Sequence, residues 1–245
     1  MTLQGELFST APLAIDTLLF EKTAHHSGFT CVAGIDEAGR GPLAGPVTAA
    51  AVILPAGLSI PGVDDSKKLS PDKREKLFEI IMAQALSVGV GIIGPAEIDL
   101  INILQATRRA MLAAVRQLTP QPDCLLIDGI NTIDSTITQK TIKKGDSLSL
   151  SIAAASIIAK VARDRIMIEM DSEYPGYGFS GHKGYGSTAH LDAIRRLGPS
   201  PIHRLTFRGV KEHVVIAPLP DNISVSKLIL SEVLHNSPIM FSKIM

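Results

Sequence analysis

A chain of 245 residues with 24 Lys and Arg against 24 Asp and Glu carries no formal net charge, so any nucleic-acid surface must be local. With 45% hydrophobic and 20% charged residues, it is a globular chain long enough for one large domain or for one domain with an appendage. Cys31 and Cys124 form no CxxC, no run nears the roughly 20 apolar residues that span a bilayer, and no basic stretch followed by an apolar one opens the chain; a reduced, cytoplasmic protein off the membrane is expected.

Residues 1–28 read as an N-terminal extension, with a short helix around Leu18-Leu19-Phe20-Glu21 and a linker at His25-His26-Ser27-Gly28. Cys31–Glu37 and Val47–Leu54 are strand-like runs joined by a glycine-rich turn. Ser70 suits an N-cap and Pro71 the first helical position, opening a helix to about Leu86. Val88–Ile93 is a third strand, and one long helix is expected over Ile98–Leu118, ending before Pro120. Cys124–Asp128 is a fourth strand and Ile137–Ile142 a weak fifth. Leu148–Tyr174 has helical periodicity, and Ala153, Ala154, Ala155 and Ala159 permit close packing on a sheet. Leu191–Leu197 and Val225–Leu234 are further helices. Strands interleaved with helices predict an α/β sandwich.

Four acids stand at informative places. Asp36 and Glu37 close the first strand, Asp128 closes the fourth, and Asp146 follows Lys143-Lys144-Gly145 just before the long helix. Sites in α/β sheets gather at the carboxyl ends of strands, so neighbouring first and fourth strands would bring their acids within a few ångströms. Buried carboxylates are costly unless compensated, and hard cations such as Mg²⁺ prefer carboxylate oxygen. Two metals about 3.5–4 Å apart on such acids are a standard phosphodiester-cleaving arrangement. The adjoining Gly39-Arg40-Gly41 turn offers bare backbone and a positive charge to a phosphate-bearing substrate. Singly, Asp128-Gly129 is also ordinary turn chemistry and Asp146 an ordinary helix-start acid; their agreement with the Asp36–Glu37 pair carries the reading.

The run Asp36-Glu37-Ala38-Gly39-Arg40-Gly41-Pro42-Leu43-Ala44-Gly45-Pro46-Val47 resembles the opening motif of the type 2 ribonucleases H. Further blocks match in order: Asp65-Ser66-Lys67-Lys68-Leu69, Leu126-Ile127-Asp128-Gly129, Lys144-Gly145-Asp146 with Ala153–Asp164, and Gly181-His182-Lys183-Gly184-Tyr185-Gly186 with His203-Arg204-Leu205-Thr206-Phe207. The likeness covers about residues 30–211 and within the group is to the bacterial ribonuclease HII branch, since the sister ribonuclease HIII carries an additional N-terminal domain. Ile130, where a polar residue is usual, and Thr206, where serine is, depart from the pattern without touching the acids.

The resemblance implies an RNase H-like mixed sheet flanked by helices, with a catalytic domain over 29–211 that includes a helical C-terminal part. Residues 212–245 lie outside the likeness, and Val225, Leu228, Ile229 and Val233 on one helix face make a helical tail the expectation. The resemblance also implies Mn²⁺- or Mg²⁺-dependent hydrolysis of the RNA strand of RNA/DNA hybrids and incision at ribonucleotides embedded in duplex DNA, leaving 5′-phosphate and 3′-hydroxyl ends. Asp36, Glu37, Asp128 and Asp146 take the catalytic, metal-holding positions. Gly39, Arg40 and Gly41 would contact the ribose 2′-hydroxyl, and Tyr185 would pack on the deoxyribose that follows. Lys67, Lys68, Lys183 and Arg204, inside the matched blocks, are the better candidates for substrate contact. A monomer is expected.

Residues 140–213 carry 12 Lys and Arg against 7 Asp and Glu, a local excess of positive charge that suits phosphate tracking. Singly, Lys140, Arg163 and Arg195 read as solvated helix charges. His182 and His203 read as packing or hydrogen-bonding residues, lacking spaced partners for a metal. Two rival functions fit less well. A dinucleotide site needs GxGxxG opening a helix, whereas Gly39 to Gly45 is GxGxxxG with Pro42 inside and a strand after it. A non-catalytic nucleic-acid module has no use for four acids that repel phosphate.

Overall fold

The computed structural model describes residues 16–214. Chain order is α1 (Leu19–His26), β1 (Val32–Ala38), β2 (Val47–Ile53), α2 (Pro71–Gln84), β3 (Ser87–Ile93), α3 (Pro95–Ile101), α4 (Ile103–Arg116), β4 (Cys124–Asp128), β5 (Thr138–Ile142), α5 (Leu150–Glu173), α6 (Phe179–His182) and α7 (Thr188–Leu197). The five strands form one mixed sheet in the order β3-β2-β1-β4-β5. β1, β2 and β3 pair antiparallel, while β4 lies parallel to β1 and β5 parallel to β4.

The pairing of β1 with β4 sets Ile35 against Ile127, so Asp36 and Asp128 leave the sheet side by side. Asp123 aligns the two strands at their start: its carboxylate accepts from the amides of Thr30 (2.8 Å) and Cys31 (3.0 Å). One face of the sheet buries Ala33, Ile35, Ala49 and Ala51 against Ala110, Met111 and Ala114 of α4. The other buries Ala50 and Val52 against Phe78 and Ile81 of α2 and Ala154, Ile157 and Ile158 of α5. Alternation along each strand thus feeds two cores at once.

α5 is sunk deepest because Gly34 of β1 lets it approach. A Cβ at Gly34 would stand 2.1 Å from the carbonyl carbon of Ser151. Ser149 caps α5, its Oγ accepting from Ile152 N, and Ser70 caps α2 above Pro71, accepting from Lys73 N.

Two expectations need correction. The helix expected over Ile98–Leu118 is two helices, broken at Asn102, whose φ of 68° ends α3 and whose Oδ1 caps α4 through Leu104 N and Gln105 N. No Gly or Pro announced this break. The linker expected at His25-His26 is the last turn of α1, bonded through Ser27 N to Thr23 O. The described part of residues 1–28 packs on the sheet, with Phe20 and Ala24 beside Val32, Cys124 and Ile152. The helix expected at Val225–Leu234 lies outside the described residues. No helix among the described residues is long and apolar enough to cross a membrane.

Gly34→Ala drives a methyl into α5 backbone that cannot yield. It should lower the unfolding free energy by about 3 kcal/mol, the upper range for overpacking, measured by denaturant titration of the purified protein.

Candidate active site

The acids meet where β1 and β4 end. One carboxylate oxygen from each of Asp36, Asp128 and Asp146 lies within 4.8 Å of the other two. Asp36 is 2% exposed, and one of its oxygens accepts from Glu37 N at 2.7 Å while Oδ2 is buried without a partner. Burial first, then the charges of Glu37 and Asp128, push the Asp36 carboxyl well above the usual carboxylate range. Burial, then Asp128 and Asp65, also raise Asp146, against the opposing pull of Lys67.

Asp146 comes from a short 3₁₀ turn, Gly145–Ser147, that is tied to the strand acid: Gly145 N donates to Asp128 Oδ1 at 2.7 Å. A side chain at Gly145 would collide with Ile152 Cδ1 at 2.6 Å, so the turn lies flush against α5. The fourth acid is placed differently. Glu37 stands outside the three-acid cluster and pairs with Arg40 at 3.2 Å; burial raises its carboxyl and Arg40 opposes the rise.

The donor set suits a hard divalent cation: three converging carboxylates, one with an orphaned buried oxygen, share few cations. Lys67 Nζ is 3.5 Å from Asp146 Oδ2 and 3.9 Å from Asp65 Oδ1. Burial would depress this ammonium, but Asp36, Asp65 and Asp146 outweigh it and hold Lys67 above its usual range. Lys68 pairs with Asp64 at 3.0 Å and donates to Ser147 Oγ at 3.2 Å.

The Gly39-Arg40-Gly41 turn sits beside the acids. Gly39 has φ of +93°, and a Cβ there would meet Arg163 Nε at 2.1 Å. The Tyr185 ring, 47% exposed, borders Gly41, its Cε1 3.9 Å from where a Cβ would stand. Lys183 bonds Ser180 O and adopts a left-handed backbone.

Two arginines differ from their sequence reading. Arg204, expected at the substrate, is 0% exposed; its guanidinium donates to the carbonyls of Gly39 (2.6 Å), Arg40 (2.9 Å), Gly45 and Pro46. It braces the glycine turn from behind and cannot touch a phosphate. Burial first, then Arg163, pull it down to about 9. Arg163, read as a solvated helix charge, is also 0% exposed and donates to the carbonyls of Pro46, Ala44 and Lys183. It therefore ties the glycine turn to the Tyr185 loop, and its guanidinium carbon is 5.9 Å from the Tyr185 ring centroid. Position within a matched block could have marked Arg163, but nothing in the local pattern separates a buried arginine from a solvated one.

The histidines form a relay that the sequence did not expose. Ser200 N donates to His203 Nδ1 at 2.8 Å, His203 and His190 meet through Nε2 atoms 3.0 Å apart, and His190 Nδ1 reaches Tyr185 O at 2.9 Å. These partners dictate the tautomers: His203 carries its proton on Nε2 and His190 on Nδ1, both rings neutral. His182 bonds Tyr177 O, and its ring stacks on that of His190.

Residues 33–210 match the family model described as ribonuclease HII. The chain is 68% identical over 211 residues to a ribonuclease HII of Pelobacter propionicus, covering 86% of this chain and 95% of that one. Among solved structures it is similar to ribonuclease H2 of Pyrococcus horikoshii, with a TM-score of 0.63, 28% identity, and coverage of 75% of this chain and 96% of the other. It is also similar to a chain in the PCNA:RNase HII complex of Archaeoglobus fulgidus, with a TM-score of 0.62, 25% identity, and coverage of 73% and 96%. The sheet order and flanking helices are those of the ribonuclease H-like fold that the resemblance implied.

Burial, and for His203 next the neighbouring His190, lowers both histidines to about 4. An unfolded imidazole takes its proton near pH 6.5, so between pH 6.5 and 4 the unfolded chain binds more protons and stability falls as pH falls. Denaturant titrations across this window should show that slope, and His203→Gln should flatten it.

Proposed function

The chain belongs to the ribonuclease HII family, enzymes that hydrolyse the RNA strand of RNA/DNA hybrids with divalent metal ions, and from that premise we propose the finer reading of its site. Asp36, Glu37, Asp128 and Asp146 hold two divalent ions, Mg²⁺ or Mn²⁺, with substrate present. The observation that carries this is the three-acid cluster at the ends of β1 and β4, with Asp36 Oδ2 buried and unpartnered. Bound there, the ions supply Lewis acidity to the scissile phosphate and make water a stronger nucleophile at neutral pH.

The chain's own residues bind and orient. The Gly39-Arg40-Gly41 turn, braced from behind by Arg204, meets the ribose 2′-hydroxyl and so distinguishes RNA from DNA. Arg40 orients Glu37, which flanks the cluster. Lys67 offsets acid charge before substrate arrives, and Lys68 and Lys183, with Lys67, face the nucleic-acid backbone. The Tyr185 ring, adjoining the same turn, packs on the next sugar and registers the RNA–DNA junction. On this reading the enzyme cuts hybrids and embedded ribonucleotides, leaving 5′-phosphate and 3′-hydroxyl ends. The catalytic unit is residues 29–211 acting as a monomer, with the 212–245 tail outside it, and the free thiols of Cys31 and Cys124 suit the cytoplasm.

Asp128→Asn should reduce cleavage of a hybrid at saturating Mg²⁺ or Mn²⁺ to background, while its melting temperature in chelator stays level or rises, because one of three repelling charges is gone. Near-normal turnover would refute the assignment of the acids.

Tyr185→Ala should lose more turnover on a duplex with one embedded ribonucleotide than on a long hybrid, since a stacked ring is worth roughly 1–3 kcal/mol and misplacement of the phosphate costs rate steeply. Tyr185→Phe should be milder. Equal losses on both substrates with a lowered melting temperature would reduce Tyr185 to a prop for its loop.

A further inference from the structure

Nothing in the metal-dependent reaction calls for Glu21, yet it is a buried acid bonded to the segment that carries Asp146. It projects from α1, 9% exposed. One oxygen, Oε1, accepts three hydrogen bonds: from Ser149 Oγ at 2.6 Å, Ser151 N at 2.9 Å and Ser151 Oγ at 2.7 Å. Thr17 O accepts from Leu150 N at 2.8 Å, so two successive points of the N-terminal segment grip residues 149–151.

Those residues are the first turn of α5. Ser151 N is among the amides a helix leaves unpaired at its start, and a carboxylate there also meets the positive end of the helix dipole. The ladder continues toward the acids. Ser149 N donates to Gly145 O at 2.8 Å, Leu148 N to the same carbonyl at 2.9 Å, and Gly145 N to Asp128 Oδ1 at 2.7 Å. From Glu21 to Asp128 each link is a hydrogen bond or a single peptide turn, and Asp146 lies inside it. Thr17, Ser149 and Asp146 also line one open groove of about 470 Å³ with Lys68 and Lys73.

We propose that Glu21 is a positioning residue for Asp146: by fixing the first turn of α5 it holds the Gly145–Ser147 turn where Asp146 converges with Asp36 and Asp128. This rests on the reading of Asp146 as a metal-holding acid. Supporting groups behind metal-holding side chains typically govern about 10–100-fold in metal affinity or activity, because repulsion among clustered carboxylates would otherwise spread them.

The test titrates Mn²⁺ calorimetrically into full-length, metal-free protein and measures kcat and KM on a hybrid. Glu21→Ala should weaken Mn²⁺ binding about tenfold and lower kcat with KM unchanged, and Glu21→Gln, whose amide oxygen can take the place of Oε1, should stay within about threefold of wild type. Unchanged Mn²⁺ affinity in Glu21→Ala, whatever its melting temperature, overturns the proposal and leaves Glu21 as a brace for α1. If Glu21→Ala does not fold, Glu21→Asp, with its carboxylate drawn back by one methylene, is measured the same way: weakened Mn²⁺ binding supports the proposal and unchanged binding overturns it. Asp146→Asn separates the two readings: if it binds Mn²⁺ as tightly as wild type, the assignment of the acids itself fails.

Discussion

Three carboxylates held within 4.8 Å of one another repel, and everything around the site opposes their drifting apart. Asp36 is fixed by its place in β1 and by its bond to Glu37 N, Asp128 by the parallel pairing of β4 with β1, and Asp146 by the amide of Gly145 on Asp128. Two of the three acids thus take backbone amides as partners, whose positions cannot adjust as a lysine's can. Of the two lysines beside the cluster, Lys67 is largely exposed where it meets Asp146, and Lys68 is held by Asp64 and Ser147. This combination, rigid acids and peripheral cations, keeps the cluster hungry for positive charge without satisfying it beforehand.

The opposite strategy operates a few residues away. Arg163 and Arg204 are buried with carbonyl oxygens rather than carboxylates as partners. A guanidinium has five donors in a rigid fork, so one side chain can clasp several peptide units. Between them they fasten the glycine turn, the start of β2 and the Tyr185 loop into one body. The glycine turn and the Tyr185 loop are therefore held together beside the acids, and a loop without regular secondary structure behaves as a solid part of the framework.

How much of this was legible in the sequence depends on how local the signal is. Strand β4 was visible to the residue because an apolar run ends in Asp128-Gly129, and α2 because Ser70-Pro71 announces it. The strand-end acids were legible for the same reason. The break at Asn102 was not, since asparagine both tolerates a left-handed backbone and sits unremarked in helices. The burial of Arg163 and Arg204, the histidine relay and the grip of Glu21 on Ser149 and Ser151 were invisible, because each is a meeting of segments far apart in the chain. The place of Glu37 outside the tight three-acid group was equally hidden, because its carboxylate pairs with Arg40 of the turn that follows, a contact the strand pattern does not announce.

The parallel pairing that sets Val32 against Cys124 has a consequence for how the protein comes into being. A growing chain emerges with Asp36 long before Asp128 and Asp146 exist, and closing so wide a loop is slow and entropically costly. Until β4 docks and α5 slides over Gly34, the acids are strangers, each with the weak cation affinity of a lone carboxylate. The three-acid cluster is therefore complete only once segments far apart in the chain have met. A chain that stops short of β4 therefore holds Asp36 without the two acids that meet it in the folded protein.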